Sequence, residues 1–288
     1  MQKLIITCAL TGGVPTKEMT PYVPITPKEI AESAYACYNA GASVVHLHAR
    51  NKKGKPTSNP KVFEDIVTRI RAKCPELIIN ISTGGRGRKQ GERGSALYLK
   101  PELASLTTGS VNFSNSAYVN PPQIIDMLAK QMLEYDIKPE IEIFDASMLP
   151  NALDLVKRGL LKEPLYLNFI FGMKGATPAV HENPRFSAPQ DEVLMEMKYF
   201  QRYYADKPVN CQWAVSGIGK SQLEMNLLAM YNGGHVRVGL EDNIYFDKGV
   251  LASNEMLVER IARLSREWGR GVASCDEARE ILGLRHRA

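Results

Sequence analysis

The chain has 288 residues, 44% hydrophobic and 23% charged, with a formal net charge of +5. This is the composition of a folded globular protein, not of a disordered tail. The positive charge is too mild and dispersed for a nucleic-acid partner, though it suits an enzyme that handles carboxylates or phosphates.

The longest apolar runs, such as LYLNFIFG at 165–172, fall short of the roughly 20 residues a membrane helix needs. The expectation is a chain with neither signal peptide nor membrane anchor. Five cysteines, Cys8, Cys37, Cys74, Cys211 and Cys275, form no C-x-x-C pair, which suits a reducing cytoplasm better than a disulfide framework.

Eight apolar runs predict strands in chain order: 4–10 (LIITCAL), 43–50 (SVVHLHAR), 77–83 (LIINIST) and 103–113 (LASLTTGSVNF), then 138–145 (KPEIEIFD), 165–172, 209–217 (VNCQWAVSG) and 235–242 (HVRVGLED). Between the first two, Thr26-Pro27-Lys28-Glu29 reads as a capping box with proline at the first helical position, and Gly41 stands where that helix stops. Further helices are predicted near 60–73, 122–135, 147–159, 189–204 and 220–231. The connection between the third and fourth strands carries RGRKQGERG and reads as a long loop with a short helix. Its basic stretch from Arg86 to Arg93 has three candidate roles: contact with a phosphorylated cofactor, contact with a neighbouring subunit, or plain solvation.

Strands apolar along their whole length and joined by helical crossovers point to a parallel sheet covered by helices. Eight such units over about 250 residues predict a (β/α)8 TIM barrel. The chain is expected to form one domain over 1–288, with 254–288 as the last helix and a short C-terminal helical extension. An open doubly wound sheet is the other fold this alternation permits.

In a barrel the reacting groups sit at the C-terminal strand ends, and an unpaired polar side chain elsewhere in the interior costs about 1–3 kcal/mol. The second strand carries His46, His48 and Arg50 at alternate positions. Same-face neighbours lie about 7 Å apart, so two imidazoles can reach one metal ion; two hydrogen-bonded core histidines are the other reading. The tip of strand eight adds Glu241 at matching height, since closure places strands eight and two on either side of strand one. His46, His48 and Glu241 make a His2Glu set with open coordination positions, the pattern of a catalytic zinc. Arg237 and Glu241 share parity and are expected to face the interior, with Gly239 leaving space between them. Asp242, beside Arg237 and a dication, is a candidate base, with a surface ion pair as the alternative. Ser82 and Thr107 are candidates to bind a carboxylate or a developing enolate, or else structural hydroxyls. Arg50 serves either the substrate or a nearby carboxylate.

The segment Ala214 to Ser221 (AVSGIGKS) is one glycine short of a P-loop. In a nucleotide-site fold it would bind ATP or GTP. After strand seven of a barrel, Gly217, Gly219 and Lys220 are instead expected to cradle a phosphate at a helix N-terminus.

The ordered motifs ITCALTGG, HLHAR, INISTGG, ASLTTGSVNF, PEIEIFD and RVGLEDN span nearly the whole chain. Together they resemble the β-keto acid cleavage enzymes, a zinc-dependent barrel family that converts a β-keto acid and acetyl-CoA into acetoacetate and a new acyl-CoA. The resemblance implies zinc as cofactor and acetyl-CoA as co-substrate. By motif it implies His46, His48 and Glu241 as zinc ligands, Arg237 and Asp242 as the catalytic arginine and aspartate, and Ser82 as a substrate contact. Thr107 and Glu142 match polar pocket residues, with Thr108 and Glu140 as alternatives to them. It also implies a homo-oligomer, a tetramer. The implied chemistry removes a proton from the carbon between the carboxylate and the ketone, with zinc as Lewis acid and template. One departure bears on specificity. In the member that acts on an amino-substituted keto acid, an acidic residue follows strand one, whereas Val14 stands there in this chain, so the substrate tail is expected to be neutral or apolar. A tail cation held by Phe113 or Tyr118 is the alternative. Competing functions are a zinc hydrolase or lyase on the same barrel, the P-loop reading, and a non-catalytic barrel that binds CoA or a metabolite.

Overall fold

The computed structural model of the chain describes residues 1–84, 90–113, 116–173 and 209–285. Eight parallel strands close into a barrel: β1 (Ile6–Ala9), β2 (Val44–Leu47), β3 (Ile78–Ile81), β4 (Leu103–Thr107), β5 (Lys138–Ile143), β6 (Leu165–Phe171), β7 (Cys211–Gly217) and β8 (His235–Val238). They follow one another around the ring in chain order, and β1 pairs with both β8 and β2. That closure excludes the open sheet.

Helix α1 (Pro27–Ala40) has the expected ends: Glu29 N–H donates to the Thr26 hydroxyl at 3.2 Å, Thr26 N–H donates to the Glu29 carboxylate at 2.8 Å, and Gly41 is the C-cap. Then come α2 (Pro60–Lys73), α3 (Pro122–Glu134), α4 (Met148–Lys157) and α5 (Ser221–Tyr231). The helix expected at 189–204 lies outside the described residues, as do Arg86 to Lys89 of the basic loop. Two short 3-10 turns are described here, Gln90–Glu92 within that loop and Leu97–Leu99 after it. Helices α6 (Asn254–Glu267) and α7 (Cys275–Leu282) complete the described chain. Among the described residues no helix is long and apolar enough to cross a membrane.

Three strands end at least three residues earlier than the sequence predicts. The run 103–113 is two elements, because the chain turns after β4 and Val111–Phe113 pairs antiparallel with Ser116–Tyr118. Strand β2 stops at Leu47, and Ala49–Arg50 pairs instead with Pro56–Thr57. Arg50 therefore leaves the strand face of His46 and, among the described residues, contacts no carboxylate in an ion pair. Its guanidinium donates to the carbonyls of Gly12 (2.8 Å), Pro15 (3.0 Å) and Gly54 (2.7 Å), clamping the loop after β1. Strand β8 stops at Val238 because Gly239 takes φ +130, and a side chain there would lie 2.2 Å from the Ala9 carbonyl oxygen. The expected open space at Gly239 is thus filled by the β1 backbone, and only glycine permits that approach.

Period-two alternation stacks the inward residues in layers. Ile5, Val44, Ile78, Leu103, Tyr166 and Ala214 pack together at the N-terminal end, plugged from below by Ala278 and Leu282 of α7. One step up, polar residues replace them: His46, Asn80, Glu140, Asn168, Ser216 and Arg237, all buried. The larger apolar cluster lies between the strands and the helices. The apolar plug gives the barrel a dry floor, and the polar layer above it is where chemistry has room.

Candidate metal centre and active face

His46 lies on β2, His48 directly follows it, and Glu241 sits in the turn after β8. One nitrogen from each imidazole and one Glu241 oxygen lie within 4.8 Å of one another. Glu241 Oε1 is 3.2 Å from His48 Nε2 and 3.8 Å from His46 Nε2, and the two rings are tilted by 58°. The other Glu241 oxygen is buried with no hydrogen-bond partner among the described residues. Two imidazoles from β2 and its end and a carboxylate from the turn after β8, on either side of β1, form a donor set suited to zinc, with ligand positions to spare. Burial works to raise the Glu241 carboxyl, but His48, Arg237 and His46 outweigh it and hold the group well below its usual range. The turn is fixed by Glu241 N–H donating to Ala9 O at 3.1 Å and by Asn254, whose side chain accepts from Leu240 N–H at 2.8 Å and donates to Leu10 O at 3.0 Å.

Arg237 projects from β8 into the same space. Its Nη2 donates to Glu241 Oε1 and to Asp242 Oδ1, both at 2.8 Å, and its Nε donates to Asp242 Oδ2 at 2.9 Å. The parity expected for Arg237 and Glu241 does not survive the bend at Gly239; what brings them together is this ion pair across the turn. Burial raises the Asp242 carboxyl to about 6, with Arg237 opposing the shift and Glu241 adding to it.

Above these groups opens a cavity of about 590 Å³. His48, Ser82, Glu142, Arg237, Glu241 and Asp242 line its polar part. Thr107 donates to Glu142 at 2.7 Å, and Glu142 lies 3.7 Å from Arg237. Thr108 instead donates to Met148 O, away from the cavity, and Glu140 is fully buried beneath it. Of the alternatives left open by sequence, Glu142 reaches the cavity and Thr107 holds it from behind.

A model of the β-keto acid cleavage enzymes matches residues 3–284. The chain belongs to the β-keto acid cleavage enzyme family. It is 42% identical over 287 residues to the 3-keto-5-aminohexanoate cleavage enzyme of Acetoanaerobium sticklandii, covering 99% of each chain. It is 43% identical over 284 residues to the 3-oxoadipate:acetyl-CoA acetyltransferase of Cupriavidus necator, covering 98% of this chain and 95% of that one. Among solved structures, ObcA in a ternary complex with a C4-CoA adduct and oxalate superposes with a TM-score of 0.77 at 23% identity, over 92% of this chain and 68% of that one, a likeness of fold.

The β-keto acid cleavage enzymes named in these comparisons act on different tails, so the far wall of the cavity matters. Here it is apolar, with Val14, Met19, Phe144, Ile170 and Met173 among its residues. Phe113 and Tyr118 stack with centroids 6.0 Å apart. The Arg93 guanidinium stands 5.3 Å from the Tyr118 ring centre and donates to its hydroxyl at 3.0 Å, so that aromatic face already has a cation.

The turn after β7 differs from an open phosphate cradle. Ile218 N–H donates to Phe171 O, Gly219 N–H to Asp242 O, Ser221 N–H to Ile218 O and Gln222 N–H to Gly219 O. A side chain at Gly217 would lie 2.5 Å from the Gln222 backbone, so this glycine seats α5 against β7. Gly219 borders the cavity; Lys220 is exposed at the start of α5. Four of the amides that a P-loop would turn toward a phosphate are thus bonded to backbone carbonyls.

Sequence reasoning missed three supports of the site. Arg50 clamps the β1 loop, and Asn254 staples that loop to the turn bearing Glu241. Gly12 has φ +63, and a side chain there would sit 2.6 Å from Glu241 Cγ. The glycine pair in TGGV signals a turn, but not which residue it must clear.

Proposed function

We propose that the chain converts a β-keto acid and acetyl-CoA into acetoacetate and a new acyl-CoA. The observation that carries this reading is the Arg237–Asp242 pair lying against the His46, His48 and Glu241 cluster in a member of this family. Those three residues would hold zinc. A dication there would supply Lewis-acid chemistry to the bound keto acid. Asp242, fixed by the Arg237 fork, takes the proton from the carbon between those groups. A carboxylate raised toward neutrality by burial is well matched to that task. Ser82 faces the bound keto acid, and Glu142, steadied by Thr107, contacts its polar end. The enolate carbon then attacks the acetyl carbonyl and CoA thiolate leaves. The thiolate attacks the original ketone and the carbon–carbon bond breaks; Asp242 returns its proton to the carbon released, and acetoacetate departs with the acyl group left on CoA. No protein nucleophile is required.

Val14 and the apolar wall favour a neutral or apolar tail, and Arg93 on Tyr118 weakens the case for a tail cation. Lys220, with Gly217 and Gly219 shaping its turn, is the proposed contact for the CoA phosphates. We take the enzyme to work in the cytoplasm as a homotetramer: five unpaired cysteines, four of them buried, suit a reducing compartment.

Metal analysis of the purified protein, combined with a panel of β-keto acids and acetyl-CoA assayed for acetoacetate, tests the reading. Zinc near one per chain and acetyl-CoA-dependent acetoacetate are expected. No acetoacetate from any of a broad panel overturns it, and turnover without acetyl-CoA points to hydrolysis.

A further inference from the structure

The polar layer under the cavity contains a carboxylate that the proposed chemistry does not use. Glu140 on β5 is fully buried. Asn80 Nδ2 of β3 donates to its Oε2 at 2.7 Å, and Asn168 Nδ2 of β6 lies 3.5 Å from its Oε1. Ser216 of β7 donates to Asn168 Oδ1 at 2.8 Å, which leaves the amide nitrogen of Asn168 as the end facing Glu140. Asn80 and Asn168, the latter set by Ser216, thus bring side chains from three other strands to hold one carboxylate in a single orientation. Burying such a group is costly unless it is paired.

What Glu140 faces is the metal cluster. Its Oε2 is 3.7 Å from His46 Nδ1, while His46 Nε2 is 3.8 Å from Glu241 Oε1. The two nitrogens of one ring therefore lie nearest two different carboxylates, both slightly beyond hydrogen-bond distance, Nε2 toward the proposed metal position and Nδ1 away from it. A carboxylate behind the non-ligating nitrogen fixes the tautomer, orients the ring and makes the ligating nitrogen more basic.

We infer that Glu140 is a positioning residue for the metal: it keeps the proton of His46 on Nδ1 and presents Nε2 to the ion. Asn80 and Asn168 hold Glu140 in register for that purpose. The inference rests on the reading that His46, His48 and Glu241 hold zinc. It separates Glu140 from Glu142, two residues along the same strand, which meets the cavity itself.

The test is zinc affinity of the demetallated full chain, measured against a competing chelator, for the wild type and Glu140→Gln. The visible absorption of the cobalt(II)-loaded forms is recorded alongside, because it reports ligand geometry independently of turnover. Glu140→Gln is expected to weaken zinc binding about 10–100-fold and to alter the cobalt spectrum, while the metal-free protein keeps its circular dichroism. Should Glu140→Gln not fold, Glu140→Asp retains the charge but withdraws it from Nδ1, and the same weakening, several-fold at least, is expected. A folded variant with wild-type zinc affinity and cobalt spectrum overturns the role of Glu140 and leaves the metal site standing. A wild type that takes up no zinc overturns the metal reading, and this inference with it.

Discussion

Arg237 holds Asp242 with two hydrogen bonds, Nε to Oδ2 at 2.9 Å and Nη2 to Oδ1 at 2.8 Å, and the same Nη2 reaches Glu241 Oε1 at 2.8 Å. One guanidinium thus ties the proposed base to a proposed metal ligand. Lysine offers a point charge without the fork and cannot replace both contacts. Removing one partner of a buried ion pair costs about 3–5 kcal/mol. We predict that Arg237→Lys lowers kcat/KM for acetoacetate formation at least 100-fold, and steady-state kinetics check this.

Gly12 leaves room for Glu241 and adopts a left-handed conformation that alanine resists. Gly12→Ala is expected to displace Glu241. Zinc content at fixed free zinc falls well below one per chain, and the melting temperature of the metal-free protein drops by a few degrees, corresponding to about 1–2 kcal/mol. Metal analysis and thermal melting read the two effects.

Arg50 donates to carbonyls that no other side chain among the described residues serves, three of them in the loop that carries Val14. Buried carbonyls left without donors cost about 1–3 kcal/mol each. Arg50→Met is therefore expected to destabilise the protein by at least 2 kcal/mol in urea unfolding. It should also raise KM for keto acids with long tails more than for short ones, because the apolar wall loosens.

Val14 borders the cavity where tail selectivity is proposed. The wild type is expected to prefer a neutral keto acid to its primary-amine counterpart. Val14→Glu should shift the ratio of their kcat/KM values toward the amine by 10-fold or more, through charge pairing in a partly dehydrated pocket. Preference of the wild type for the amine would contradict the assignment of the tail.

The barrel was legible because most strands read as apolar runs and the first two helices announce themselves through a cap and a proline, at Thr26-Pro27 and Asn59-Pro60. The cluster was legible because HLHAR and RVGLED fall at strand ends. What the sequence hid were bends. Gly239 stops β8 before Glu241, so period-two reasoning placed the right residues together for the wrong geometric reason. The antiparallel ribbon at Ala49–Arg50 turned the arginine of HLHAR toward the β1 loop. At the glycine-rich stretch 217–219, four nearby amides are bonded to backbone carbonyls, one of them to Asp242, which the motif alone does not report. Local pattern reports which groups are present, while the hydrogen bonds that consume them come from elements distant in sequence.

The central claim is that the acetyl group of acetyl-CoA becomes part of acetoacetate while the acyl group of the keto acid moves to CoA. Acetyl-CoA carrying ¹³C in both acetyl carbons, incubated with an unlabelled keto acid and the zinc-loaded enzyme, tests it most directly by NMR. The account predicts label at C3 and C4 of acetoacetate and none in the new acyl-CoA. Unlabelled acetoacetate, or a free acid in place of the acyl-CoA, would contradict it.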